Sequence, residues 1–226
     1  MSLRCLAPPE VQPASFAFNA ENTRWAEATI AKYPQGRQAS AVISLLWRGQ
    51  EQEGWVSHPM IETIAKMLSM PFIRVLEVAT FYTMFNLEPV GTYLVQVCTT
   101  TPCWLRGSDA VVAACKKHIH AHPHTVSEDG KFSWMEVECL GACVNAPMLQ
   151  IGSDFYEDLN GASTEKLLED LRAGRPVKPG PQNGRASSEP EGGAASLKES
   201  SLYDGSVVGK YVPKAPPPPD PKPGGA

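Results

Sequence analysis

Apolar residues recur at two different spacings along the chain, and the change of spacing divides it into two structured regions. Over residues 20–86 the spacing is that of amphipathic helices. The segment RQASAVISLLWRGQEQEG, for example, places five apolar residues on one face of a predicted helix: Ala39, Val42, Ile43, Leu46 and Trp47. We therefore expect this face to be buried and the region to form a small helical bundle without an internal repeat.

Three more helices are predicted in the first region, two of them from residues that mark a helix start or stop. In NTRWAEATIAKY, Asn22 is the expected N-cap and Pro34 the stop signal. Ser57 and Pro59 mark the start of HPMIETIAKML, because proline is tolerated in the first helical turn. PFIRVLEVATFYTMF is the fourth predicted helix. Its ATFYTMF stretch is expected to serve either the core alone or both the core and a subunit interface.

Strand-like runs begin after residue 90. TYLVQVC, FSWMEVEC, APMLQIGS and DFYEDL are predicted strands. CWLRGSDAVVAACKKHI is predicted as one amphipathic helix that starts at Cys103, and TEKLLEDLRAG as a last helix capped by Ser163. The order strand–helix–strand–strand–strand–helix predicts an α/β fold: a small mixed-sheet domain of the thioredoxin type, preceded by the helical bundle.

The composition changes again after Gly174, where roughly half of the residues are Pro, Gly or Ser. Such a segment cannot bury enough apolar area to offset the entropy of ordering it. One island at 201–212 contains tyrosines and aliphatic residues, and is either a random cluster or a docking segment. The expected organisation is a flexible N-terminus (1–19), a helical, partner-docking domain (20–88), a thioredoxin-like domain (89–175) and a disordered tail (176–226).

Composition and charge exclude several classes of protein. The 226 residues are 42% hydrophobic and 19% charged, which is typical of a globular protein with a core. The longest apolar run, AVISLLW, is too short to cross a bilayer, and the N-terminus lacks the pattern of a secretory signal. A net charge of -4 does not indicate a nucleic-acid partner. We expect a protein of the reducing bacterial cytosol with no direct membrane insertion.

Four of the six cysteines form two close pairs. Cys98 and Cys103 have four residues between them, Cys139 and Cys143 have three, and 35 residues separate the pairs. In a reducing compartment, grouped cysteines indicate metal ligands or catalytic thiols rather than disulfides. Four thiolates from two loops can wrap a [2Fe-2S] cluster, and Gly141 allows a tight turn inside the second pair.

Spacing alone leaves alternatives open. Structural zinc tolerates related spacings, whereas a thiol–disulfide catalyst is disfavoured by the missing C-x-x-C motif. The acidic excess of the chain lies in the same region: residues 91–175 carry seven Lys or Arg and eleven Asp or Glu, among them Glu136 and Glu138. For an iron–sulfur cluster, these carboxylates predict a low potential, near or below about -400 mV.

Two longer blocks carry a family resemblance. VCTTTPCWLRGSD followed by VECLGACVNAPMLQI resembles the thioredoxin-like [2Fe-2S] ferredoxins. The preceding GRQASAVISLLWRGQEQEGWVSHPMIETIAKML and VATFYTMFNLEPVG are similar to the small ferredoxin subunit in the NADH-dehydrogenase module of bacterial respiratory complex I. The resemblance covers about residues 20–173 and leaves the long tail outside the common pattern.

The resemblance implies a role for the cysteine pairs: Cys98, Cys103, Cys139 and Cys143 bind one [2Fe-2S] cluster. It further implies a one-electron carrier in NADH:quinone oxidoreductase, next to a flavoprotein subunit that binds FMN and NADH and among other peripheral-arm subunits. The complex would place it on the cytoplasmic side of the inner membrane. The sequence contains no G-x-G-x-x-G loop, so NADH and FMN are expected on the partner and no complete active site on this chain.

Alternatives remain within and outside this chemistry. The equivalent small subunit of an NAD-linked hydrogenase or formate dehydrogenase uses related modules, and a zinc-stabilised interaction module would have no redox role.

The remaining cysteines are not expected to bind the cluster. Cys115 is predicted to be a small buried hydrophobic residue, and Cys5 is predicted to lie in the flexible N-terminus. Four histidines alternate at the end of the predicted helix: His118, His120, His122 and His124. They are expected to interact favourably with the negative end of the helix dipole rather than bind a metal.

Overall fold

A computed structural model describes residues 4–190, 192–193 and 195–202 of the chain. Two compact units divide after Ser187. The smaller unit contributes one short 3-10 helix, Ser200–Leu202, to the described residues. Most of the predicted docking island at 201–212 lies outside them. Among the described residues, no helix has the length and apolar character needed to cross a membrane.

The larger unit contains a helical part followed by a sheet-based part. Its described helices are α1 (Ala20–Ile30), α2 (Val42–Glu53), α3 (His58–Met67), α4 (Phe72–Phe81), α5 (Thr101–Leu105), α6 (Ser108–His118) and α7 (Gly161–Arg172). Its described strands are β1 (Tyr93–Cys98), β2 (Phe132–Val137), β3 (Leu149–Ile151), β4 (Asp154–Glu157) and β5 (Gly180–Pro181). Short 3-10 helices occupy Pro9–Val11, Gln38–Ala41 and Cys143–Asn145.

Helices α1–α4 pack around a core of buried aliphatic residues and Phe85. The predicted cap of α3 is confirmed, because the Ser57 hydroxyl accepts the Met60 N–H. The predicted cap of α1 is wrong by three residues. Asn19 caps α1, and Asn22 is instead buried in the helix, where its side chain bonds Gln52 and Arg48. A buried amide therefore joins α1 to α2.

The predicted apolar face of α2 is only partly correct. Its most buried side chains include Leu45 and Leu46, whereas Trp47 is 44% exposed. The Trp47 indole N–H donates to Glu51 Oε1 at 3.0 Å, at the solvent surface. Gly49 is buried against Met60 of α3. The buried stripe is thus rotated away from the one predicted, toward Leu45 and Gly49.

The sheet has the order β2-β1-β3-β4-β5. Strand β1 runs parallel to β2 and antiparallel to β3, β3 runs antiparallel to β4, and β4 runs parallel to β5. Helices α6 and α7 pack against the sheet through a core that includes Trp134, Cys115 and Leu168. The predicted mixed α/β architecture of the thioredoxin type is therefore confirmed, with one short strand, β5, that the sequence did not indicate.

Two helix starts in this part differ from the prediction. The long helix expected from Cys103 is divided into α5 and α6 at Gly107, whose φ of 94° is a conformation that glycine adopts without strain. Helix α7 is capped by Asn160 rather than Ser163. Ser163 is its third residue, and its hydroxyl accepts the Asn160 N–H in a reciprocal capping box.

The segment expected to be a flexible N-terminus is held against the helical part over its described residues. Arg4 donates to the backbone carbonyls of Thr80, Tyr82 and Phe85 at the end of α4. The backbone N–H of Ala7 donates to Leu87 O at 2.9 Å. The Thr80 carbonyl lies in the last turn of α4, and the Tyr82 and Phe85 carbonyls follow it. All three lack a helical partner, so a guanidinium with several donors satisfies them together.

Within the tail that is expected to be disordered, residues 180–187 bond β4 and the residues next to it. Gly180 and Pro181 pair with β4, and the backbone N–H of Gln182 donates to Glu157 O at 2.9 Å. Arg185 forms an ion pair with Asp158 in which both side chains are buried. Proline and glycine do not prevent this attachment, because an edge strand tolerates a residue without an N–H.

Candidate metal centre

The first cysteine pair lies at the end of a central strand. Cys98 is the last residue of β1, and Cys103 lies in α5, with Thr100 as the residue before that helix. Both sulfur-bearing side chains are buried, beside Ala146 and Met148. Cys98 Sγ is 3.3 Å from the Thr100 hydroxyl. The strand end and the short helix thus hold two thiols in an apolar setting.

The second pair lies in the loop after β2 and is exposed. Cys139 Sγ and Cys143 Sγ are 3.4 Å apart. Gly141 has a φ of 89°, which permits the turn between them. Two thiolates on one tetrahedral metal, each with a bond of about 2.3 Å, lie about 3.7 Å apart. The spacing of the two sulfurs therefore suits a shared metal ion.

Parallel pairing of β1 and β2 places the two loops side by side, at the C-terminal ends of these strands. Cys98 lies opposite Val137 in the register, so the chain leaves both strands at neighbouring points. Leu140 and Ala142 of the second loop pack against the buried cluster that contains Cys98 and Cys103. The charge of Cys98 also acts on the pKa of Cys143. The structure therefore brings together all four sequence-predicted residues, one pair buried and the other exposed.

The surroundings of the site shift the pKa values of Cys98, Cys103 and Cys143 in different directions. Burial by itself would raise the pKa of Cys98, but hydrogen bonds to Thr100, Cys103 and the backbone of Leu140 outweigh it, and this pKa lies below its ordinary value. Burial, together with the neighbouring Cys98, raises the pKa of Cys103 to about 12. The hydrogen bond with Cys139 raises the pKa of Cys143. The raised pKa values oppose ionisation of Cys103 and Cys143, and a bound cationic metal would offset this and release protons.

This donor set fits a [2Fe-2S] cluster. Four thiolates are the ligands that such a cluster takes, and backbone hydrogen bonds from Leu140 to Cys98 and from Met148 to Cys103 stabilise negative sulfur. Within the described part of the chain, no three or more His, Cys, Asp or Glu side chains form a group that could hold one metal ion. The sulfurs lie in two pairs, the number that each iron of a binuclear cluster needs.

Exposed apolar side chains flank the cysteines. Trp104 and Leu105, which follow Cys103, are 57% and 71% exposed, and Val144, which follows Cys143, is 68% exposed. We call these three residues the apolar rim. Glu136 and Glu138 are also exposed in this region. An apolar rim beside a buried thiol pair is typical of a surface that contacts another protein.

The other candidates lie apart from this chemistry. Cys115 is fully buried, and burial raises its pKa to about 12, which confirms the predicted small core residue. His118 Nε2 lies 3.6 Å from Glu165 on α7, and His120 accepts the His122 N–H. These contacts give His118, His120 and His122 partners within the protein, and the expectation that the four histidines bind no metal stays a prediction.

The ATFYTMF stretch serves two purposes. Ala79 and Phe85 are fully buried in the helical core, whereas Phe81 is 76% exposed and Tyr82 and Met84 are also exposed. The Phe81 and Tyr82 rings contact edge to face, with centroids 5.0 Å apart. The stretch therefore supplies core residues and leaves an apolar surface at the end of α4.

Sequence reasoning missed the residues that hold the loop after Cys143. Asn145 is almost fully buried, and its side chain donates to Glu157 and to the backbone of Ser187. Arg185 donates to the Val144 carbonyl at 3.0 Å. The polar Asn145 inside the apolar run VNAPML was the available signal, because a polar residue in such a run needs buried partners.

Known proteins are similar to this chain over most of its length. The model of the family described as thioredoxin-like [2Fe-2S] ferredoxin matches residues 26–172. The NADH-quinone oxidoreductase E-subunit 1 of Rhizobium meliloti (strain 1021) is 56% identical over 201 residues, which are 88% of this chain and 73% of the relative. The NADH-quinone oxidoreductase E-subunit of Rickettsia prowazekii (strain Madrid E) is 53% identical over 156 residues, which are 69% of this chain and 88% of that one.

A solved structure shares the fold. The crystal structure of an NAD+-reducing [NiFe]-hydrogenase in the H2-reduced state superposes with a TM-score of 0.53 at 18% sequence identity. The match covers 60% of this chain and 23% of the hydrogenase chain. At this level of identity the likeness concerns the fold alone.

Proposed function

Because the chain belongs to the thioredoxin-like [2Fe-2S] ferredoxin family, we propose that it is a one-electron carrier subunit of an NADH:quinone oxidoreductase, the respiratory complex I. Cys98, Cys103, Cys139 and Cys143 hold one [2Fe-2S] cluster in this proposal. When bound, such a cluster supplies a site that takes up and releases one electron. The observation that carries the proposal is the meeting of two thiol pairs at one edge of the sheet.

The residues that would hold the cluster differ in burial and in role. Cys98 and Cys103 are the buried ligands, with Met148 packed beside them to exclude water. The backbone N–H of Leu140 donates to Cys98 and favours the thiolate. Cys139 and Cys143 are the exposed ligands. The exposed pair is therefore the side from which an electron-transfer partner approaches.

We assign the substrate chemistry to a neighbouring flavoprotein subunit that binds FMN and NADH and exchanges an electron with this cluster. The sequence supports this assignment because it has no dinucleotide-binding loop. The apolar rim and the exposed end of α4 around Phe81 offer surfaces for the flavoprotein and other peripheral-arm subunits. The protein would then reside on the cytoplasmic side of the bacterial inner membrane, held there by the complex.

The metal content tests the class of protein. We expect the purified chain to be reddish-brown and to contain about two irons and two acid-labile sulfides. Reduction should produce a rhombic electron-paramagnetic-resonance (EPR) signal, because the reduced cluster has an unpaired electron. Elemental analysis and EPR spectroscopy measure these quantities. A colourless protein with one zinc per chain would contradict the proposal in favour of an interaction module.

The apolar rim gives a test of the partner. We expect Leu105→Glu to weaken association with the co-purifying flavoprotein about tenfold or more, because a carboxylate would be desolvated in an apolar contact. Affinity pull-down of the complex and titration of the purified proteins measure the effect. Val11→Glu, at an exposed apolar site on a 3-10 helix, is the matched control and should leave binding unchanged. Equal binding of both variants and the wild type would refute docking through Leu105.

A further inference from the structure

Residues 180–187 run along the sheet edge as a strap, beyond the region matched by the family model. The strap begins as β5, which pairs with β4 at Tyr156 and Glu157. Gln182 continues the pairing through its backbone N–H to Glu157 O, and its side chain donates to the Lys178 and Gly180 carbonyls. The strap is therefore anchored before it reaches the cysteine loop.

Arg185 joins the strap to two other segments at once. Its guanidinium bonds both carboxylate oxygens of Asp158, at 3.1 Å from Nε and 2.6 Å from Nη2. Nη2 also donates to the carbonyl of Val144 at 3.0 Å. The Arg185 and Asp158 side chains are only 7% and 6% exposed. A planar guanidinium can satisfy a carboxylate and a carbonyl together, which the point charge of a lysine does not reproduce.

Asn145 fixes the same loop from the other side. Its side-chain amide donates to Glu157 Oε2 and to Ser187 O, each at 2.8 Å. Its backbone carbonyl accepts the Asp158 N–H at 2.8 Å, and its backbone N–H donates to Ala142 O at 2.9 Å. The 3-10 helix that starts at Cys143 is thus bonded to β4, to the turn after it and to the strap.

We propose that this strap is a brace for the cluster loop and that Arg185 is a positioning residue for Cys143. Arg185 holds the carbonyl one residue after Cys143, and through Asp158 it fixes the backbone that bonds Asn145. Cys139 and Cys143 are exposed, and the bonds from Val144 to Arg185 and from Asn145 to Asp158 restrain the backbone that carries Cys143. The inference rests on the proposed role of these cysteines as cluster ligands.

Loss of iron from the full-length, cluster-loaded protein tests the brace. Under excess EDTA, we expect Arg185→Ala to lose its visible cluster absorbance about tenfold faster or more than the wild type, in line with other residues that orient metal ligands. Its EPR line shape should broaden, because the loop samples more than one geometry. Arg185→Lys keeps the charge opposite Asp158 and should lose iron at an intermediate rate.

Arg175→Ala is the matched control. It also removes an Arg–Asp ion pair, but Arg175 bonds Asp170 on α7 rather than the cysteine loop. We expect wild-type iron loss and EPR spectra for this variant. Wild-type behaviour of Arg185→Ala, or equal acceleration in both alanine variants, would overturn the brace. If Arg185→Ala does not fold, a wild-type rate for Arg185→Lys would overturn it.

Amide hydrogen exchange of the cluster-free chain provides a second readout. In Arg185→Ala we expect faster exchange of the Asn145 and Asp158 N–H groups, with α7 unchanged, because both amides are bonded within the braced loop. Unchanged exchange at these amides would overturn the brace. A wild-type chain that holds no iron would overturn the proposed function instead, and the exchange result would still decide whether residues 180–187 hold the loop.

Discussion

Replacing any one of Cys98, Cys103, Cys139 or Cys143 with alanine is expected to abolish or strongly destabilise the cluster. Each substitution leaves one iron with an open coordination position that neighbouring residues cannot fill with a thiolate. Iron and acid-labile sulfide content should fall from about two of each per chain toward zero, and the EPR signal after reduction should disappear. Among possible single changes, these have the largest expected effect on function.

The position of each thiol predicts a difference among the four variants. Cys98 and Cys103 are buried beside Met148, so their removal also leaves a small cavity at the sheet edge. Cys139 and Cys143 are exposed, and their removal should leave the stability of the cluster-free chain nearly unchanged. Thermal unfolding of the cluster-free variants, followed by circular dichroism, separates loss of a ligand from loss of packing.

Cys115→Ala is the matched control for the four ligand variants. Cys115 is buried in the core between the sheet and α6, so the change removes one sulfur without touching the site. We expect full cluster content with a modest fall in stability, on the order of 1 kcal/mol. Normal iron content in any of the four ligand variants, or cluster loss in Cys115→Ala, would contradict the ligand assignment.

Gly91→Ala is expected to destabilise the fold more than other single-methyl additions. Gly91 lies between the helical part and β1, where its backbone N–H donates to the Ser133 hydroxyl at 3.2 Å. A β-carbon there would lie 2.6 Å from the backbone N and 2.7 Å from Cα of Phe132. Since a backbone cannot rotate away as a side chain can, the strands must shift. We expect a cost of about 3 kcal/mol.

Thermal unfolding of the cluster-free chain measures this cost. A loss of about 3 kcal/mol corresponds to a fall in Tm of roughly 6–12 °C for a chain of this size. Gly161→Ala is the control, because a β-carbon at this first residue of α7 would lie 3.8 Å from Ala110, an ordinary contact. Its Tm should stay the same or rise slightly. A Tm for Gly91→Ala equal to that of Gly161→Ala would disprove the predicted clash.

Local signals in the sequence predicted element types well but element ends less well. The Ser57 and Pro59 signal placed the start of α3 correctly because a cap and a first-turn proline act within one helical turn. At α1, the structure uses Asn19 as the cap rather than the predicted Asn22. Asn22 is drawn inside by Gln52 and Arg48, partners that are distant in sequence.

The packing of α2 shows the same limit. The helical spacing of its apolar residues was visible, but Trp47 is exposed, and Gly49 is the residue that lies close to Met60 of α3. Gly107 divided a helix that the apolar pattern predicted as continuous, since the left-handed conformation there changes the direction of the chain. The spacing of apolar residues alone does not determine which neighbouring element a helix face will contact.

The sequence by itself determined the type of fold and the proposed ligands. The helical and strand spacing of apolar residues and the two cysteine pairs each depend on residues that are close together in the sequence. Only the tertiary structure showed that parallel pairing of β1 and β2 brings those pairs together. It alone showed that Arg185 bonds the carbonyl of Val144, next to Cys143, and that Asn145 bonds Glu157 and Ser187. Residues 180–187 lie in a segment whose composition predicts disorder, and they are held by partners more than twenty residues earlier in the chain. Long-range bonds of this kind leave no local pattern, so the brace became visible only in three dimensions.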